Sequence, residues 1–85
     1  MTFVYILECK DGSYYTGITW NLGKRLAEHN QGIKTPIQPS KRPVKLVYSE
    51  GLKTRTEAAA REKEIKGWRR EKKERLINSF IDSFH

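Results

Sequence analysis

The segment FVYILEC at positions 3–9 carries apolar side chains on both of the faces that a β-strand presents. Successive side chains of a strand point to opposite faces of its sheet, so this pattern is typical of a central strand that is covered on both sides. A chain of 85 residues has room for one domain with one modest core. The segment therefore predicts a small domain in which helices flank a sheet.

A returning strand follows at once. The tripeptide KDG at positions 10–12 is a turn signal, and residues 13–18 have the composition of a second strand. A three-residue loop with Gly12 in the left-handed conformation would set Leu7 opposite Tyr15, and would place Tyr5 and Tyr15 on one face as diagonal neighbours. A two-residue turn would put the two tyrosines on opposite faces, because a slip of one residue flips every side chain. We predict the three-residue loop.

The first helix has recognisable ends. Asn21 is suited to the N-cap and Gly32 to the C-terminal stop, which gives a helix of about ten residues. At about 100° per residue, Arg25 and His29 fall on one edge of its apolar stripe. We therefore expect both side chains where the helix meets the sheet, not in solvent.

The rest of the chain predicts one more strand and two more helices. Residues 33–42 contain two prolines and predict a loop, and Val44 to Ser49 predicts a third strand at the edge of the sheet. The capping box TRTE at 54–57 opens a helix to about Lys66, and a last helix runs from Arg69 to about Phe84. The predicted fold is α/β (α+β), in the order β-β-α-β-α-α, with a three-stranded, mostly antiparallel sheet. Residues 1–85 are expected to form a single domain, with a core over about 2–78 and a helical extension to about 84.

Charge indicates the partner. Lysine and arginine number 17 against 10 acidic residues, a net charge of +7. Such an excess favours polyanions, first nucleic acid and second anionic membrane surfaces. The single cysteine, Cys9, cannot form an internal disulfide, and no apolar run approaches the ~20 residues that cross a bilayer. The N-terminus also lacks the apolar core of a signal peptide, so we expect a cytoplasmic protein that does not insert into membranes.

One carboxylate breaks the pattern of the second helix. Glu62 projects into the inward stripe that Ala58 and Ile65 define. A carboxylate that faces a core is costly unless it is paired or bound to a metal. Three interpretations stay open, which are an ion pair with Lys66 at i+4, a position at the rim of a short helix, and a metal ligand.

Six segments, in chain order, resemble the GIY-YIG nuclease superfamily, and in particular its branch of small single-domain bacterial proteins. The triplets FVY at 3–5 and YTG at 15–17 stand where the family has Gly-Ile-Tyr and Tyr-Ile-Gly. The turn KDGS at 10–13, the helix NLGKRLAEHN at 21–30, the strand PVKLVY at 43–48 and the helix EAAAREKEIK at 57–66 continue the match. Phe3 replaces the first motif glycine, and Ile18 stands where the DNA-repair branch carries a lysine.

The resemblance implies cleavage of phosphodiester bonds in DNA with one divalent ion, Mg²⁺ or Mn²⁺, bound by Glu62. The catalytic residues that it implies are the two motif tyrosines, the helix arginine and a histidine present in several branches, which are Tyr5, Tyr15, Arg25 and His29. Gly17 matches the motif glycine, and its missing side chain is expected to leave space beside the scissile phosphate. The late asparagine of some members has no counterpart other than Asn78.

The identity of the general base stays open between the tyrosines and the histidine. A tyrosine has a reference pKa of ~10, which a neighbouring arginine and a metal would lower. We prefer Tyr15 as base, with Tyr5 orienting the water or the phosphate and His29 as proton acceptor or relay. His29 is the other candidate base, because its reference pKa of ~6.5 suits proton transfer without adjustment.

Basic side chains outside the site are expected to follow the DNA backbone without reading sequence. They are Lys41, Arg42, Lys63, Lys66, Arg69, Arg70, Lys72 and Lys73. Trp20 and Trp68 are expected to pack in or beside the core; stacking on nucleic-acid bases is the alternative for both.

Two other functions compete with a nuclease. One is a nucleic-acid-binding module that keeps the scaffold without turnover. The other is an accessory protein whose site is completed by a protein partner or by a second copy, since no second DNA-binding domain accompanies the motif segments.

Overall fold

The computed structural model describes residues 1–83, and its elements follow the predicted order. The strands are β1 (Thr2–Glu8), β2 (Tyr14–Thr19) and β3 (Lys45–Leu52). The helices are α1 (Leu22–Gln31), α2 (Arg55–Lys66) and α3 (Arg70–Asp82), and a short 3-10 helix spans Pro39–Lys41. The sheet has the order β2-β1-β3 with both pairs antiparallel, so the predicted α+β fold is confirmed. Phe84, in the predicted last helix, lies outside the described residues.

The hairpin has the predicted register. Gly12 has a φ of 86°, and the Cys9 N–H donates to the Ser13 carbonyl at 2.8 Å. Leu7 stands opposite Tyr15. Tyr5 and Tyr15 therefore share one face of the sheet as diagonal neighbours, as the three-residue loop requires.

The helix ends follow from their capping residues. The Asn21 side chain accepts a hydrogen bond from the Lys24 N–H at 3.1 Å, and Gly32 ends α1 with a φ of 79°. The Thr54 hydroxyl accepts from the Glu57 N–H at 3.1 Å and so begins α2. Both caps satisfy backbone groups that a helix end leaves without an intrahelical partner.

The sheet separates two apolar layers, and β1 contributes to both. On one face Val4 and Ile6 pack with α2 and α3, through residues that include Ala58, Ile65 and Ile77. On the other face Tyr5 and Leu7 pack with α1 and the proline-containing loop, through Leu22, Leu26 and Ile37. The central, doubly covered position predicted for the first strand is confirmed, because its residues 4–7 are all buried.

The third strand extends three residues beyond its predicted end. Its last pair joins Leu52 to Thr2 at the very start of β1. The added length therefore comes from pairing with the central strand, which a local reading of composition does not detect. Over residues 1–83, no helix has the length and apolar character needed to cross a membrane.

Candidate active site

Three aromatic rings from three elements meet on the α1 face of the sheet. Tyr5 comes from β1, Tyr15 from β2 and His29 from the last turns of α1. Their ring centroids are 6.4 Å apart for the two tyrosines, 5.9 Å for Tyr5 and His29, and 5.1 Å for Tyr15 and His29. The hairpin register and the helix phase thus bring together residues that are distant in sequence.

A buried hydrogen bond connects the first tyrosine to the histidine. The Tyr5 hydroxyl lies 2.8 Å from His29 Nε2, and the two residues are 2% and 0% exposed. This corrects the expected partnership of His29 with Tyr15, whose ring contacts the imidazole edge-on instead. The reason is position in the sheet: Tyr5 lies on the central strand beneath α1, whereas Tyr15 lies on an edge strand.

The second ring nitrogen of His29 has a partner that the sequence did not reveal. Nδ1 lies 2.6 Å from the hydroxyl oxygen of Thr35, in the loop that follows α1. That loop has no hydrophobic periodicity, so nothing in the sequence marked Thr35 as a neighbour of the site.

Arg25 lies beside this pair, at the predicted boundary between helix and sheet. Its guanidinium donates to the Lys34 carbonyl at 2.8 Å and to Glu28 at 3.3 Å. Its positive charge also acts on Tyr5, in the direction that lowers the pKa of the phenol. Arg25 therefore supplies a positive charge next to the phenol.

Burial sets the protonation of the pair. Burial, with a smaller contribution from the charge of Tyr15, raises the pKa of Tyr5 to about 12, although Arg25 acts to lower it. Burial and then the charge of Arg25 lower the pKa of His29 to about 4, against an opposing effect of Glu28. At neutral pH the phenol and the imidazole are both uncharged.

Glu62 lies at the partly exposed edge of the inward stripe of α2 and pairs with Lys66. Ala58 and Ile65 are fully buried, which confirms the inward stripe of α2. The Glu62 side chain is 23% exposed, and its carboxylate lies 3.5 Å from Lys66 Nζ as a simple ion pair would have it. Its negative charge also raises the pKa of Tyr5, which places it in electrostatic range of the phenol.

A divalent ion would find one carboxylate here. Within the described residues no group of three or more histidine, cysteine, aspartate and glutamate side chains converges as a metal cage. Mg²⁺ normally keeps several waters and uses one or two carboxylates together with phosphate oxygens, so a lone, partly exposed carboxylate suits it. Glu62 fits this requirement, since its ion pair with Lys66 lies at the surface and a divalent cation can displace the lysine.

The family follows from comparison with known proteins. A model of the GIY-YIG catalytic domain matches residues 1–75. The chain belongs to the GIY-YIG family. It therefore carries the catalytic domain of a nuclease-type family, and the resemblance seen in its six sequence segments is confirmed.

Two similar proteins have nearly the same length as this chain. The chain is 46% identical over 76 residues to a UPF0213 protein of Staphylococcus saprophyticus. The aligned region covers 89% of this chain and 93% of the relative. A UPF0213 protein of Staphylococcus aureus is 48% identical over 75 residues, and the aligned region covers 88% of this chain and 92% of that protein.

Two solution NMR structures resemble the fold. One is the UPF0213 protein BH0048 from Bacillus halodurans, with a TM-score of 0.59, 39% identity and coverage of 92% of this chain and 84% of that one. The other is the protein EF2693 from E. faecalis, with a TM-score of 0.62, 38% identity and coverage of 92% and 83%.

The motif glycine of the GIY-YIG family has a structural use in this chain. Gly17 stands directly opposite Tyr5 in the sheet. A Cβ at Gly17 would lie 2.5 Å from the Tyr5 hydroxyl oxygen and 2.7 Å from its Cζ. The space that the missing side chain leaves is thus filled by the Tyr5 phenol, so the glycine positions the tyrosine.

Gly17→Ala should therefore damage both stability and the site. We expect a loss of about 1–3 kcal/mol in the free energy of unfolding, as for other overpacked interiors, because the phenol must move. The control is Gly23→Ala, where a Cβ meets nothing closer than 3.8 Å and helix propensity should add up to about 1 kcal/mol. Urea denaturation measures both values, and equal stability of the two variants would contradict the close approach.

The basic residues expected on DNA divide into two groups. Some already have internal partners. Arg42 turns inward and donates to the Ile37 carbonyl at 2.9 Å, Arg70 donates to the Gly12 carbonyl at 2.9 Å, and Lys41 pairs with Asp11 at 3.8 Å. Arg42 takes this position because Gly32 has no side chain to exclude its guanidinium.

The other basic residues lie on the surface of α2 and α3. Lys66 pairs with Glu62 and lies 6.0 Å from the centre of the Tyr15 ring, and Lys72 lies 4.2 Å from the centre of the Trp68 ring. Lys63, Arg69 and Lys73 also lie on or beside these helices, with Lys63 and Arg69 exposed and Lys73 half-buried.

The two tryptophans differ in exposure. Trp68 is half-buried against the α2–α3 layer, as expected. Trp20 is 70% exposed, which corrects the expectation that it packs in or beside the core; it follows the end of β2, beyond the covered part of the sheet. Asn78 is exposed on α3.

Proposed function

We propose that this protein is a metal-dependent endonuclease that hydrolyses phosphodiester bonds in DNA with little sequence specificity. The observation that carries the proposal is the hydrogen bond between Tyr5 and His29, which is buried next to Arg25 and within electrostatic range of Glu62. A proton acceptor, a phosphate-binding cation and a carboxylate for a hard metal ion are the groups that phosphodiester hydrolysis needs.

Tyr5 is our candidate for the general base, and Tyr15 is our candidate for the residue that orients the water or the phosphate. These roles are the reverse of those expected from the sequence. The Tyr5 proton has an acceptor within reach, because His29 Nε2 lies 2.8 Å away and the imidazole is uncharged at neutral pH. The positive charge of Arg25 stabilises negative charge on the phenol oxygen. The high pKa of Tyr5 requires that loss of its proton be coupled to transfer towards His29.

Tyr15 and Arg25 orient the substrate in this proposal. Tyr15 is half-buried and borders a groove of about 170 Å³ between the hairpin turn and the proline-containing loop. A water or a phosphate oxygen can therefore reach the Tyr15 side chain from this groove. Arg25 can pair with a non-bridging phosphate oxygen by a charge-assisted hydrogen bond.

Glu62 would hold the divalent ion, together with waters and phosphate oxygens of the substrate. One Mg²⁺ or Mn²⁺ ion supplies charge stabilisation for the departing oxygen when it is bound. Basic side chains on or beside α2 and α3, above all Lys63, Arg69 and Lys73, would contact the DNA backbone. Such contacts position the nucleic acid without reading its bases.

A non-catalytic nucleic-acid-binding module on the same scaffold is the second candidate. The observation in its favour is that Lys66 already neutralises Glu62, so the carboxylate has a role without a metal. A protein partner or a second copy that supplies specificity is compatible with either function. Residues 1–85 would act as one domain in both.

Cleavage of supercoiled plasmid, single-stranded DNA and branched DNA at low salt tests the proposal. Low salt is needed because backbone contacts weaken steeply as salt rises. We expect products with Mg²⁺ or Mn²⁺ and none with chelator. Salt-sensitive binding without cleavage of any substrate in either metal would establish the binding module instead.

A further inference from the structure

We propose that Thr35 is a positioning residue that holds His29 in the tautomer able to accept the Tyr5 proton. The inference rests on the proposed function, since Tyr5 is the base that this tautomer serves. It assigns a role in the reaction to a loop residue outside the motif segments.

The Thr35 hydroxyl is the meeting point of two hydrogen bonds. His29 Nδ1 lies 2.6 Å from its oxygen, and the Ile37 N–H donates to the same oxygen at 3.1 Å. A hydroxyl oxygen has two lone pairs, so both acceptor positions are used when Nδ1 carries its proton. Ile37 is buried in the α1-facing layer, which fixes the hydroxyl in place.

The Tyr5 side of the imidazole determines which nitrogen is protonated. The Tyr5 phenol is uncharged at neutral pH and 2% exposed, so its O–H needs a buried acceptor. Among the described residues, the acceptor within hydrogen-bond distance of the Tyr5 O–H is His29 Nε2. A neutral imidazole with a free Nε2 carries its proton on Nδ1, and Thr35 accepts that proton's hydrogen bond.

Both backbone polar groups of Ile37 have hydrogen-bond partners, and these bonds hold the loop that carries Thr35. The Ile37 N–H bonds the Thr35 hydroxyl, and the Ile37 carbonyl accepts from Arg42 at 2.9 Å. The inward turn of Arg42 therefore has a consequence for the site, because it fixes the segment that presents the hydroxyl to His29.

The proton movement that this arrangement serves is balanced. A water proton passes to the Tyr5 oxygen as the Tyr5 proton passes to His29 Nε2, which leaves hydroxide as the nucleophile and imidazolium on His29. The imidazolium then has an N–H on each nitrogen, directed to Tyr5 and to Thr35. Loss of the Thr35 acceptor would leave the Nδ1 proton unpaired in a buried site, which disfavours both the starting tautomer and the imidazolium.

The charged and titratable groups that face His29 come from the sheet and from its own helix. Tyr5 and Tyr15 face it from the sheet, and Arg25 and Glu28 face it from its own helix. Thr35 faces it from the loop and carries no charge. Burial and Arg25 keep the pKa of His29 at about 4, so near neutral pH the tautomer, and not the charge, is the property that Thr35 controls.

Two variants of one residue test the inference, Thr35→Val and Thr35→Ser. Valine keeps the shape and removes the hydroxyl, whereas serine keeps the hydroxyl. Nitrogen-15 NMR of labelled His29 at neutral pH, without DNA or metal, reports the tautomer. We expect the Nδ1–H form in the wild type and in Thr35→Ser, and a shift to the Nε2–H form in Thr35→Val. Cleavage by Thr35→Val should fall about 10- to 100-fold, the range seen for hydrogen-bond partners that fix the tautomer of a metal-ligating histidine.

Each outcome decides the question. The Nε2–H form in the wild type would overturn the inference, even if Thr35→Val failed to fold. An unchanged Nδ1–H form in Thr35→Val would also overturn it, whatever the cleavage rate. If the wild type cuts no DNA, the proposed function fails, and the tautomers of the three proteins still determine whether Thr35 positions His29.

Discussion

Tyr5→Phe should lower the rate of DNA cleavage by about 10²- to 10⁴-fold, the range expected when a general base is removed. The substitution deletes the one hydroxyl that bonds His29 Nε2 and leaves the ring that fills the space over Gly17. A buried imidazole acceptor is then unsatisfied, at a cost of about 1–3 kcal/mol in stability. Single-turnover rates at saturating Mg²⁺ and a urea denaturation curve separate the two effects.

Tyr15→Phe is the matched comparison. Its hydroxyl has no hydrogen bond to His29, so we expect a loss of about tenfold, equivalent to one ordinary hydrogen bond to the substrate. A larger loss for Tyr15→Phe than for Tyr5→Phe would return the role of base to Tyr15. The hydrogen bond between Tyr5 and His29 would then be structural.

The backbone of the site could be predicted from the sequence because local chemistry fixes it. Gly12 has the positive φ that a three-residue hairpin loop requires, and this sets the register that puts Tyr5 and Tyr15 on one face. Asn21 and Gly32 fix the ends of α1, so the phase of Arg25 and His29 follows. The position of Glu62 follows in the same way from the capping box that opens α2.

The hydrogen bonds inside the site could not be predicted, because they depend on how the layers pack. Periodicity places His29 near the sheet but does not choose between Tyr5 and Tyr15, which share a face. Thr35 lies in a loop whose path depends on the burial of Ile37 and on the inward turn of Arg42. Arg42 itself shows the limit of charge as a guide, since a basic residue predicted to contact DNA also donates a hydrogen bond to the carbonyl of Ile37 in that loop.

Glu62→Gln should abolish metal-dependent cleavage, with a loss of at least about 100-fold in rate. The amide keeps the size of the side chain and removes the charge that attracts a divalent ion, and the described residues contain no cluster of acids to replace it. The fold should survive, because the Glu62 side chain is partly exposed and its pair with Lys66 is a surface ion pair of little stabilising value.

Glu64→Gln is the control for charge. Glu64 lies on the same helix, and its carboxylate is half exposed and pairs with Arg61. The substitution Glu64→Gln removes the same charge from α2, but on the side of the helix that carries Arg61. We expect its cleavage rate to stay close to that of the wild type.

Nicking of supercoiled plasmid by the wild type, Glu62→Gln and Glu64→Gln, with Mg²⁺ and with chelator, shows whether Glu62 supports metal-dependent cleavage. DNA binding is followed by fluorescence anisotropy in the same buffers. We predict nicking by the wild type and Glu64→Gln in Mg²⁺ alone, with Glu62→Gln binding DNA and leaving it intact. Mg²⁺-dependent nicking by Glu62→Gln at the wild-type rate, or no nicking by the wild type in Mg²⁺, would contradict the account.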